Sequence, residues 1–238
     1  MRDSAGAADG KRVASDRGHC RVMTDIRSTP NLLGMRLAHR AMLADTARFA
    51  ALTGELAATR TPCPPRRARA IADYLGLLCD SIHHHHRVED EVLWPTLTAA
   101  AGDAVELREL TDDHAQLDPA LAQIRTTCAD LVARRPGAAA DLAERLTRLH
   151  TVLDEHIADE ERTVFPIITE YLTTAQWERV EAAARGGAVM SFELPRMVAV
   201  CAPTELAELR AEGGLPVRVM LTVFGFGYRR RERVLAGG

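Results

Sequence analysis

Histidine and glutamate recur at helical spacing in two places: His85 and Glu89 in "HHRVEDEVLWP", and His156 and Glu160 in "HIADEERTVFP". A step of four residues puts an imidazole and a carboxylate on one face of a helix, one turn apart. Two further histidines stand alone, His39 at 46 residues before His85 and His114 at 42 residues before His156. Imidazole nitrogen together with carboxylate oxygen is a donor set for divalent first-row metals. Burying such groups at one level of an apolar core costs several kcal/mol per charge unless something compensates them. A bound metal compensates all six at once.

The elements that must hold these side chains are legible as four helical patterns, at roughly 30–58, 65–99, 104–134 and 138–173. They are divided by "TRTPCPP", "AAAGD" and "RRPGA", each with Pro or Gly punctuation. Thr29 and Pro30 predict the first helix start, as N-cap and first helical residue. Core lines in steps of three and four run through Ile71, Leu75, Leu78, Ile82, His85, Glu89, Val92 and Thr96, and through Leu107, Leu110, His114, Leu117, Leu121, Ile124, Cys128 and Leu131. The fourth pattern has Leu142, Leu146, Leu149, Leu153, His156, Glu160, Val164 and Ile167, and the first a weaker line from Met35 through His39 to Leu56. Short loops between long amphipathic helices imply antiparallel neighbours. The expectation is therefore an all-α, up-down-up-down four-helix bundle over 29–173, with a C-terminal helical appendage over 174–238 and a flexible leader over 1–28. Each helix brings one histidine to the core. The two halves repeat, so two half-sites facing each other describe a dinuclear centre.

Bulk composition agrees with such a fold. Hydrophobic residues make up 47%, aromatics 4%, and the net charge is −3, which disfavours both disorder and an overall basic nucleic-acid-binding chain. Cys20, Cys63, Cys79, Cys128 and Cys201 are scattered without a CxxC, the first 28 residues lack an apolar secretory core, and no stretch reaches membrane-spanning length. A cytoplasmic protein with reduced thiols, no transmembrane segment and no nucleic-acid partner is expected.

The paired HxxxE-[DE]-xx-aliphatic-aromatic-Pro segments, each preceded by a lone histidine one helix earlier, resemble the hemerythrin-like (HHE cation-binding) family over about residues 30–172. The resemblance implies two non-haem iron ions, joined by an oxo or hydroxo bridge and by the carboxylates of Glu89 and Glu160, with His39, His85, His114 and His156 as terminal ligands. Ferritin-like bundles use a Glu-x-x-His pair instead, which this chain lacks. One departure from the family stands out. Oxygen-carrying hemerythrins take two histidines four apart from the third helix, whereas here Asp118 stands four residues after His114, followed by Pro119, which is expected to kink the helix. Either Asp118, His86, His150 or Tyr74 fills the gap, or exogenous ligands reach both irons.

The function implied is binding or sensing of dioxygen, nitric oxide or peroxide. A catalase- or peroxidase-like enzyme and an iron-dependent regulatory module are the alternatives. Of the remaining polar residues, His83 and His84 are expected in solvent. The acidic neighbours of Glu89 and Glu160 are expected on solvated faces, and Trp94 and Phe165 as caps of the core. The apolar and arginine-rich stretch "RVMLTVFGFGYRRRER" is expected to pack on the bundle rather than lie on a membrane.

Overall fold

A computed structural model describes residues 29–59 and 62–237; the expected leader over 1–28 and Cys20 lie outside them. Among the described residues the regular structure is all helical, without a strand, as expected: α1 (Leu33–Ala58), α2 (Pro65–Val88), α3 (Trp94–Ala101), α4 (Arg108–Val132), α5 (Ala138–Tyr171), α6 (Thr174–Gly187), α7 (Met190–Ala199), α8 (Pro203–Glu212) and α9 (Gly214–Leu235). A π-turn over Glu89–Leu93 joins α2 to α3, and a short 3-10 turn follows α3.

Side-chain pairs fix how the long helices lie. Along α2 and α4, His83 meets Asp118 and Asp80 meets Arg125, so numbers rise on one helix as they fall on the other. The same reversal relates α1 to α5, through His39 with Glu161 and Thr46 with His150, and α4 to α5, through His114 with His156 and Gln123 with Arg145. Gly137 supplies the left-handed turn between α4 and α5, at φ 82°.

Two local expectations need correcting. The first helix starts at Leu33 rather than at Pro30; its N-cap is Leu32, without a side-chain cap, and just before it the Asn31 side chain accepts the Leu33 amide at 2.9 Å. The second pattern is not one α-helix: the π-turn lets the Trp94 amide bond back to the Glu89 carbonyl. That extra residue moves the core line beyond Glu89, so Leu93 and Leu97 are buried where Val92 and Thr96 were expected. α4 carries Pro119 inside a single helix, as the third pattern predicts.

The core has two parts. One holds Met42, Phe49, Ile71, Leu75, Leu121, Leu146 and their neighbours, and the other Leu32, Leu93, Trp94, Leu97, Phe165, Ile168 and Trp177. α6 closes the second part with Trp177, whose indole donates to the Asn31 carbonyl at 2.8 Å. The later helices close the open side of α1 and α2. Arg196 on α7 is buried and donates to Asp45 on α1 at 2.5 Å, and Arg67 on α2 donates to the Leu235 carbonyl at 2.7 Å. All four described cysteines are free thiols.

Candidate metal centre

Buried ionisable groups meet in one layer of the helical core. Two overlapping groups form there: His39, His85, Glu89 and Glu160 in one, His86, Glu89, His114 and His156 in the other, with the ligand atoms of each within 4.8 Å of one another. Glu89 belongs to both. Five imidazoles and two carboxylates thus converge, so all six residues singled out by spacing come together, and His86 joins them.

Helix geometry explains the extra histidine. Consecutive residues leave a helix about 100° apart, so His85 and His86 straddle the inward direction of α2. His85 turns toward α1, its Nε2 2.9 Å from that of His39, and keeps 15% of its side chain exposed. His86 is buried and stacks on His114, ring centroids 4.3 Å apart. The step from Ile82 to His86 is also four, so the core line passes through His86 as readily as through His85. Aligning the segment on HxxxE hides that.

The other three candidates for the gap lie elsewhere. Asp118 is exposed and pairs with His83 at 2.9 Å. His150 meets Thr46 at 3.0 Å, and the Tyr74 hydroxyl donates to both oxygens of Asp45, at 2.9 and 3.0 Å.

An approximate two-fold repeat organises the surroundings. His39 Nδ1 donates to Glu161 Oε1 at 2.9 Å, while His114 Nδ1 donates to Asp90 Oδ1 at 2.9 Å. His39 stacks on Phe165 and His114 on Trp94, with interplanar angles of 19° and 13°. The paired imidazoles repeat too, with 2.9 Å between the Nε2 atoms of His39 and His85, and 3.2 Å between those of His114 and His156. Glu161 and Asp90, still part-exposed as expected, therefore also brace histidines, and Phe165 and Trp94 cover imidazoles rather than merely cap the core. The residue-for-residue match of the two segments carried that signal. His84 also departs from expectation: its Nε2 donates to the Ala184 carbonyl on α6 at 2.8 Å.

The electrostatics of the layer call for a cation. The buried carboxylates of Glu89 and Glu160 meet imidazole nitrogens, His85 Nε2 at 2.9 Å and His114 Nε2 at 3.5 Å from Glu89 and His39 Nε2 at 3.4 Å from Glu160, but no contact to their four oxygens has hydrogen-bond geometry. Burial pushes both carboxyls well above the usual range, with Asp90 adding to the shift of Glu89, and Glu89 to that of Glu160. Burial likewise lowers His85 and His156 to about 4 and His86 well below its ordinary value, and lowers His114 against the opposing pull of Asp90. In the opposite sense, the His39 hydrogen bond holds the Glu161 carboxyl below the usual range. Neutral imidazoles and orphaned carboxylate oxygens are the donor set a metal needs. Bracing at Nδ1 leaves Nε2 of His39 and His114 aimed at the centre. A surface cavity of about 560 Å³ opens beside Asp90 and Trp94, the two side chains on the outer side of His114.

Comparison with known proteins agrees with this geometry. The family model described as hemerythrin HHE cation binding domain matches residues 34–168. A protein of Nostoc sp. (strain PCC 7120 / SAG 25.82 / UTEX 2576) named DNA nickase is 26% identical over 109 residues. That match takes in 46% of this chain and 28% of the relative, so the chain spans little more than a quarter of that protein's length. No solved structure matches.

Proposed function

The chain belongs to the hemerythrin HHE cation-binding family, and from that premise we propose that its buried layer holds two iron ions that bind dioxygen or a related small oxidant. His39 and His85 would hold one iron and His86, His114 and His156 the other. Glu89, common to both groups, would bridge them, and Glu160 is the second candidate bridge. The observation carrying this reading is the convergence of five imidazoles on two carboxylates whose buried oxygens have no hydrogen bond. We read 29–173 as the family's four-helix bundle and 174–238 as its extension.

Two reduced irons held there would supply two electrons to a bound oxidant. The protein's own part is to place and shield. Glu161 and Asp90 fix ring orientation by accepting from Nδ1. Phe165 and Trp94 cover the outer imidazole faces and exclude water. Binding or sensing is favoured over peroxide consumption because Tyr74, a candidate proton donor, keeps its proton and donates its hydroxyl hydrogen bonds to Asp45 in a separate network. The activity in the relative's name belongs to a chain of which this protein spans 28%, and small-ligand binding remains the reading.

Anaerobic reconstitution with ferrous iron, followed by metal analysis and a visible spectrum before and after oxygen, tests the proposal. Two irons per chain and an oxygen-dependent absorption band are expected. Failure to take up iron removes its basis. Added hydrogen peroxide that turns over with evolution of oxygen moves the assignment to an enzyme.

A further inference from the structure

We propose that the outer face of α9 is a docking surface for an anionic lipid bilayer. Leu215, Val219, Val223 and Phe226 are 73%, 53%, 60% and 64% exposed, and they follow one another at steps of four, four and three. That spacing places them on a single helix face. Exposed arginines share the face, Arg218 beside the apolar row, and Arg229, Arg230 and Arg233 at its C-terminal end. The other sides of α9 are already used. Leu235 is buried, Glu232 binds Arg48 at 2.5 Å, and Arg231 lies over the Tyr74 and Phe192 rings. The helix is therefore fixed to the bundle, with a second apolar face turned outward.

Charge decides among occupants. Glu232 is the one acidic residue of α9, and at the edge of this face, beside Phe226, Arg229 and Arg233, it is already paired with Arg48. A second copy would bring eight arginines of two such faces around one seam, with only the Glu232 of each helix, already paired with Arg48, near them. Nucleic acid matches the arginines but leaves four bulky apolar side chains against a polar, charged backbone. A bilayer with anionic headgroups matches both, because aliphatic and aromatic side chains enter the interface while arginines extend to the phosphates. The helix would lie on the surface rather than span it, since no described helix is long and apolar enough to cross a membrane.

The inference does not depend on the metal reading and is tested on the full, iron-loaded chain by vesicle flotation. Vesicles of phosphatidylcholine and phosphatidylserine in equal parts are expected to carry the protein, and vesicles of phosphatidylcholine alone to leave it behind. A Val223→Ser/Phe226→Ser double variant and an Arg229→Gln/Arg230→Gln/Arg233→Gln triple variant should each weaken that binding about tenfold or more. Both should keep the wild-type helical spectrum and iron content, because the altered side chains are exposed. In Phe226→Trp, emission should move to shorter wavelength on adding the anionic vesicles. Wild-type protein that does not float overturns the proposal, as do variants that float unchanged or an emission that stays still while the protein floats. Without flotation, concentration-dependent dimers lost in the double variant give the face to a second copy. Duplex oligonucleotide binding lost only in the triple variant gives it to nucleic acid. Either of these results also overturns the proposal.

Discussion

At the residue scale, the centre is asymmetric in its imidazoles and symmetric in its bracing. His86→Ala should empty the group with His114 and His156 while the His39–His85 group still takes metal, so metal analysis should find about half the wild-type content. Glu89→Ala, which removes the shared carboxylate, should deplete both. Asp90→Asn and Glu161→Gln leave every direct donor in place but weaken the acceptors that orient His114 and His39. Chelator competition should show metal affinity lower by about 10–100-fold in each. Six of the donor residues were legible because HxxxE spacing and a repeated half leave little freedom. His86 was legible only as one of four candidates for the gap, because both neighbours at the inward edge of α2 satisfy a three-four pattern, and only the packed helix shows that both enter the layer.

At the element scale, the extension docks through a buried polar network that local periodicity does not encode. Arg196 reaches Asp45 on α1 and Ser81 on α2, from 2.5 to 3.3 Å, while pairing with Glu193 of its own helix at 2.8 Å. Nothing in the spacing of "SFELPRMVAV" marks Arg196 as buried, since its partners lie 115 and 151 residues away. Arg196→Met leaves the Asp45 carboxylate buried without its main counter-charge, and urea denaturation should find about 3–5 kcal/mol of lost stability. Replacing Asp45 as well with a neutral residue should restore part of that loss. Burial also raises the Glu193 carboxyl above its ordinary value. A group raised in the folded state contributes stability that is complete below its unfolded pKa and is lost as pH rises through the folded one. Glu193→Gln should therefore flatten the decline of stability between mildly acidic and neutral pH, read from denaturation curves across that range. The π-turn was equally hidden. The sequence there continues the helical pattern, and only the shift from Val92 and Thr96 to Leu93 and Leu97 reveals the added residue.

For the whole molecule, the metal layer lies among apolar side chains of both core parts, including Phe165 and Trp94 on its outer histidines. Removing metal leaves two carboxylates and five imidazoles with only one another for company. Chelation should lower the thermal midpoint substantially, and restored iron should recover it, as followed by calorimetry. A protein that melts alike with and without metal would show that the layer does not depend on its ions. The helical class and the family were legible from end to end of residues 34–168, because the periodicity and the repeat extend that far. Beyond them, Pro and Gly suggest short helical pieces, whereas Gly214–Leu235 forms one 22-residue helix through Gly225 and Gly227.

The consecutive histidines of α2 have a mechanical consequence. His85 and His86 serve different groups from neighbouring positions on one rigid rod, so rotating α2 about its long axis carries both imidazoles round together. Any rotation that seats one ring more deeply in its group draws the other out of its own. The two halves of the centre are geared to each other through the torsion of a single helix. With a metal in each group, as proposed, a contraction around one would be felt at the other as torque, resisted where Tyr74 and Arg67 pin α2 to its neighbours.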